Sequence, residues 1–93
     1  MIDRVVLTNH ARKDLASAPA HIVNKLDVWI DSVERDGLES VRKLPGFHDE
    51  PLKGDRAGQR SIRLNITWCA IYEVLSDGRV SFVSVKEVTP HAY

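Results

Sequence analysis

The sequence predicts a two-layer α+β fold in which an N-terminal strand and a helix pair pack on a small antiparallel sheet, in the order βααβββ. Three observations carry this reading. Ile22, Leu26, Trp29, Ile30 and Val33 recur at three- and four-residue spacing, the signature of one apolar helical face. Residues 59–65, 68–75 and 79–88 are rich in β-branched and aromatic side chains and read as strands. Between the last two stands Asp77-Gly78, a dipeptide that suits a two-residue type I′ hairpin turn.

The remaining elements follow in order. Residues 2–7 include the run Val5-Val6-Leu7 and predict a first strand, with Thr8 or Asn9 placed to cap a helix over 10–15. That helix should end near Ala18-Pro19, because a residue before proline avoids the helical region. Asp36-Gly37 supplies the stop for the second helix. Residues 37–54 contain Pro45, Gly46, Pro51 and Gly54, which predict a short helical turn over 38–43 and then a loop. In the strand that follows, Ile62 and Leu64 alternate with Ser61 and Arg63. If the aliphatic pair faces the helices, Arg63 faces away, on a sheet surface open to a ligand.

With 93 residues the chain has enough material for one hydrophobic core, so a single domain over 1–93 is expected and any site must share residues with that core. An apolar fraction of 43% and a charged fraction of 28% exclude disordered and collagen-like classes. No apolar run approaches the roughly 18 residues of a membrane helix, and the N-terminus lacks a secretory signal, so no membrane association and a cytoplasmic location are expected. One cysteine, Cys69, and four dispersed histidines give no zinc-site spacing, so neither a metal nor a cofactor is expected.

The formal net charge is zero, but the charges are segregated. Over 27–39 the acids Asp27, Asp31, Glu34, Asp36 and Glu39 face one base, Arg35. Over 42–63 the bases Arg42, Lys43, Lys53, Arg56, Arg60 and Arg63 stand against Asp49, Glu50 and Asp55. Such segregation serves a protein that attracts a polyanion on one face while staying soluble, and it also describes two solvated faces of opposite sign.

The densest chemistry lies in His48-Asp49-Glu50-Pro51-Leu52-Lys53-Gly54 and, after a short turn, Gly58-Gln59-Arg60-Ser61-Ile62-Arg63. Together with the leading strand, the helix pair, the strand meander and the terminal His91-Ala92-Tyr93, this ordered set resembles the RelE/ParE superfamily of toxins from type II toxin-antitoxin systems. Within it, the RelE-, YoeB- and HigB-like messenger-RNA interferases are the nearest in pattern. The resemblance implies a RelE-like fold and a metal-independent endoribonuclease that cleaves mRNA on the ribosome, by attack of a 2′-hydroxyl on the adjacent phosphate. Such chemistry needs a base, an acid and fixed positive charge.

On that resemblance Glu50 is the general base, and Arg63 stabilises charge on the scissile phosphate. His91 protonates the leaving oxygen, while Tyr93 assists it or stacks on a base. Lys53, Arg56, Arg60 and His48 bind RNA, with His48 as a reserve acid or base, and Trp68, Tyr72 and Tyr93 are the aromatics available for stacking. The implied partners are a cognate antitoxin, which forms a hetero-oligomer with the toxin, mRNA and the ribosome. One departure stands out: in Trp68-Cys69-Ala70-Ile71-Tyr72 the family usually has an arginine where this chain has Cys69. A thiol cannot supply that charge, which implies attenuated cleavage. It also keeps open a ParE-like gyrase inhibitor without nuclease activity, or a weakened homologue that only binds the antitoxin.

Overall fold

The computed structural model describes residues 1–90. Val5–Leu7 forms β1, and Thr8 then caps helix α1 (Asn9–Ser17): its Oγ1 accepts from the Ala11 amide at 3.1 Å and donates to the Lys86 carbonyl at 3.0 Å. The same side chain therefore starts the helix and ties it to the last strand. Pro19 separates α1 from α2 (Ala20–Asp36), as the pre-proline restriction requires.

The apolar stripe of α2 behaves as its spacing predicts. Ile22, Leu26, Trp29 and Val33 are fully buried, and Ile30 packs at the margin. The helix stops at Gly37, whose φ of 88° lies in the region glycine tolerates. A β-carbon there would also stand 2.7 Å from the Met1 side chain. The short helix α3 (Leu38–Arg42) follows, burying Leu38 and Val41, with the Leu38 amide donating to the Ile2 carbonyl at 2.7 Å.

After a 3₁₀ turn at Pro45–Phe47 come β2 (Glu50–Pro51), a second 3₁₀ turn at Gly54–Arg56, and then β3 (Gln59–Arg63), β4 (Cys69–Ser76) and β5 (Ser81–Thr89). The sheet order is β1-β5-β4-β3-β2. β2 to β5 form an antiparallel meander, while β1 pairs in parallel with β5, so the sheet is mixed at one edge. The short helical turn expected over 38–43 is α3, and the order βααβββ gains the two-residue strand β2. Trp29 and Tyr72 join the layers, their ring centroids 5.2 Å apart at 45°.

The hairpin between β4 and β5 forms, but not through a type I′ turn. Ser76 pairs with Ser81 across a loop of residues 77–80, and among the described residues only His48 has a positive φ without being glycine, so Asp77 does not adopt the required angle. Asp77 instead accepts the Arg79 and Val80 amides on Oδ1 at 2.9 Å each, an arrangement that holds its carboxyl below the usual range. A β-bulge further along leaves Lys86 as the extra residue between Val85, opposite Tyr72, and Glu87, opposite Ile71.

Because Leu26 is fully enclosed, Leu26→Ala removes both transfer energy and packing. Urea unfolding should show a loss of about 2–5 kcal/mol.

Candidate functional site

Antiparallel pairing turns the far side of the sheet into rows. Directly opposed residues point to the same face, so Glu50, Ser61, Ile71 and Glu87 form one row across β2, β3, β4 and β5. Arg63, Cys69 and Thr89 form the next. Ile62, Ala70 and Val88, between the rows, point to the helices and are buried in the core. The parity read from Ile62 and Arg63 therefore holds: Arg63 is exposed on the face the helices leave open.

Glu50 and Arg63 are diagonal neighbours in this lattice, with separation of about 7–8 Å, which long side chains bridge readily. Both line a shallow cleft together with His48, Ser61, Trp68 and Cys69. Among the described residues, Glu50, Arg63, His48 and Lys53 make no side-chain hydrogen bond or ion pair. Lys53 sits exposed in the loop after β2 and does not line the cleft. His48 enters the cleft from the end of the first 3₁₀ turn with a left-handed backbone, φ 47° and ψ 50°. His91 and Tyr93 lie outside the described residues, and β5 ends at Thr89, opposite Cys69.

Two of the predicted RNA-binding cations, Arg60 and Arg56, each pair with a carboxylate, on opposite faces of the sheet. Arg60 shares the helix-side face of β3 with Ile62, and its Nε meets Asp49 Oδ1 at 2.6 Å. The Asp49 side chain is 1% exposed and also accepts the Tyr72 hydroxyl on Oδ2 at 2.6 Å. Burial works against the Arg60 charge, but the hydrogen bond and attraction of Asp49 outweigh it and raise its pKa. Tyr72 is fully buried, so it cannot stack on a base. Burial first, and then its bond to Asp49, push its pKa well above that of an ordinary phenol. Arg56 does lie on the open face, with Nε on Gln59 Oε1 at 2.9 Å and Nη2 on Glu87 Oε1 at 2.6 Å.

Sequence reasoning overlooked Asp49, counting it only among the acids of a basic stretch. Its signal was available: parity places Arg60 on the Ile62 face, where a guanidinium needs a counter-ion. Asn65 was also missed. It shapes the β3–β4 loop at the cleft's rim, its Oδ1 accepting the Thr67 and Trp68 amides at 2.9 and 2.7 Å and leaving Ile66 88% exposed. Cys69, directly opposite Arg63, is buried. Burial and then Glu87 push its thiol up to about 11, so it is neutral at physiological pH, as the departure from arginine implied.

No protein-family model and no curated protein matches the chain. Solved structures do. A YoeB/ParE toxin from Agrobacterium tumefaciens is 25% identical, with 96% of this chain and 99% of that one covered at a TM-score of 0.69. The toxin-antitoxin complex RelBE2 from Mycobacterium tuberculosis gives 23% identity, 98% and 100% coverage and 0.69. The E. coli DinJ-YafQ toxin-antitoxin complex gives 22% identity, 97% and 94% coverage and 0.72. The chain has the fold of the RelE/YoeB-like toxin superfamily, over nearly its whole length.

Two measurements check this geometry. Asp49→Ala leaves Arg60 without its carboxylate and should destabilise the protein by about 3–5 kcal/mol in urea unfolding. With its pKa at about 11 rather than 9.0, Cys69 has about 100-fold less thiolate at pH 8 than in the unfolded chain. Alkylation by iodoacetamide, followed by mass spectrometry, should be slower by at least that factor in the native protein.

Proposed function

We propose that this chain is the toxin of a toxin-antitoxin pair and cleaves messenger RNA on the ribosome without a metal. The observation that carries the proposal is the diagonal pair Glu50 and Arg63. A carboxylate and a guanidinium, neither committed to another described side chain, share one cleft on the sheet face opposite the described helices. In a protein of this size, uncommitted opposite charges that close to each other are suited to hold a substrate between them.

In the proposed reaction Glu50 takes the proton from a 2′-hydroxyl, whose oxygen attacks the adjacent phosphorus. Negative charge then builds on the non-bridging oxygens, where Arg63 offers a fork of N–H donors. The 5′-oxygen leaves with a proton, the role assigned to His91, and the upstream product ends in a 2′,3′-cyclic phosphate. Lys53, exposed in the loop beside Glu50, contributes positive charge to the approach of the RNA. Tyr93 is assigned to the same leaving group or to a base. Arg60, held by Asp49, is better suited to fixing the loop than to touching RNA.

The partner proposed for the basic loop and open face is a cognate antitoxin, in line with the toxin-antitoxin complexes among the similar structures. A second reading has its own support. Cys69 places a neutral, buried thiol opposite Arg63, which favours a weakened enzyme or a toxin homologue acting by binding alone.

Glu50→Gln, Arg63→Ala and deletion of residues 91–93 should each relieve growth inhibition and lower mRNA cleavage by about 10²-fold or more, with melting temperatures near wild type. Primer extension after induction reads the cleavage, and unchanged cut sites in all three would remove the nuclease reading. Cys69→Arg should raise cleavage about tenfold or more if charge at that position limits the rate; no gain would show that another cation serves the phosphate.

A further inference from the structure

Arg56 belongs to the 3₁₀ turn after β2, yet its side chain folds back over the open sheet face. It is held at one point by Gln59 on β3 and at another by Glu87 on β5, so it has to cross β4. Ile71, the β4 residue paired with Glu87, is 0% exposed although it points away from the helices. The guanidinium is thus stretched across the same face that carries Glu50 and Arg63, and Glu87 stands in the Glu50 row, two strands across and one register step along from Arg63. Two strand spacings and two residues along the strand together put their backbones about 11–12 Å apart, a gap that the long side chains narrow.

A carboxylate and a phosphodiester present similar paired oxygens to a guanidinium. The Glu87 carboxylate, 2.6 Å from Arg56 Nη2, therefore marks where an anionic oxygen is bound on this face. Resting on the reading of the cleft as an RNA site, we infer that Arg56 is a second phosphate subsite, for a phosphate flanking the one at Arg63, and that Glu87 fills it in the RNA-free protein. The side chains of the pair are 34% and 23% exposed, so water and an incoming strand both reach it. Glu87 has somewhere to go when displaced: its Oε2 lies 3.9 Å from His10 Nε2. His10 in turn contacts Asp14 at 3.4 Å, and Asp14 is fixed by the Val88 amide at 2.8 Å. The Cys69 thiol beside Arg63 feels both members of the pair, Glu87 raising its pKa and Arg56 lowering it, which puts the subsite within electrostatic range of the cleft.

A staple that merely fastens the loop to β5 would make a different prediction. Under that role, loss of either partner loosens the protein and weakens RNA binding. Under the subsite role the two substitutions have opposite signs. The probe is a short single-stranded RNA with 2′-O-methyl riboses, which binds without being cut, measured by fluorescence anisotropy at several salt concentrations.

Glu87→Gln should tighten binding about two- to fivefold. Arg56→Gln should weaken it about tenfold and reduce the slope of log affinity against log salt by about 0.7, the loss of one phosphate contact to a single strand. In the Arg56→Gln background, Glu87→Gln should change nothing. Weaker binding by Glu87→Gln, an unchanged salt slope in Arg56→Gln, or no RNA binding by the wild type would overturn the subsite. Parallel cleavage assays on unmodified RNA separate the two claims. Cleavage that depends on Glu50 and Arg63 but ignores Arg56 and Glu87 overturns the subsite alone. The expected binding pattern without any cleavage leaves the subsite standing and removes the nuclease.

Discussion

Asp49 holds a charge where charge is costly. A carboxylate with 1% of its side chain exposed needs donors for its lone pairs, and it has two at 2.6 Å, the Arg60 guanidinium on β3 and the Tyr72 hydroxyl on β4. Those bonds reach 11 and 23 residues along the chain. They fasten the loop before β2 to two neighbouring strands from beneath, so its flanking residues, His48 and Glu50, are delivered to the cleft on the other side. The two-residue strand β2 would be a weak anchor alone. With Asp49 sunk into the core side, the position of Glu50 is set by packing as well as by pairing with Ser61.

This division of labour explains why basic residues close in sequence have different fates. Arg60 and Arg63 are three apart on one strand, which places them on opposite faces. Arg60 is drawn into the Asp49 network and gives the loop its rigidity. Arg63 is left in solvent with no described partner and Cys69 opposite. Arg56, from a turn rather than a strand, is free of that parity and lies along the open face, where Glu87 holds it. A count of bases along the chain cannot separate these three situations, whereas strand parity separates the first two.

Much of the fold was legible because it depends on local periodicity. The α2 stripe, the Thr8 cap, the stop at Gly37 and the three long strands all follow from spacing and turn chemistry. The alternation of Ile62 with Arg63 likewise marks the open face in the sequence itself. What was not legible depends on pairing between distant segments. The parallel contact of β1 with β5 has no local signature, and neither does β2, which exists only because β3 is beside it. Asp77-Gly78 misled for a further reason: the aspartate can either take a positive φ or use its carboxylate to collect amides, and the loop of residues 77–80 allows the second. At the site, the loop motif and Arg63 were found by pattern, while Asp49 and Glu87 owe their meaning to partners far away in sequence.

β5 has the most neighbours of any strand, lying between β1 and β4 and bonded to the cap of α1. It also follows the other described strands in sequence. Until it docks, β1 has no strand beside it, Asp14 has no Val88 amide, and Arg56 has no Glu87. The two rows that define the cleft are then missing their final members. A chain whose β5 has not yet docked therefore presents Glu50 and Arg63 from β2 and β3 without the strand that completes their rows, and the surface reaches its final form only when β5 is in place.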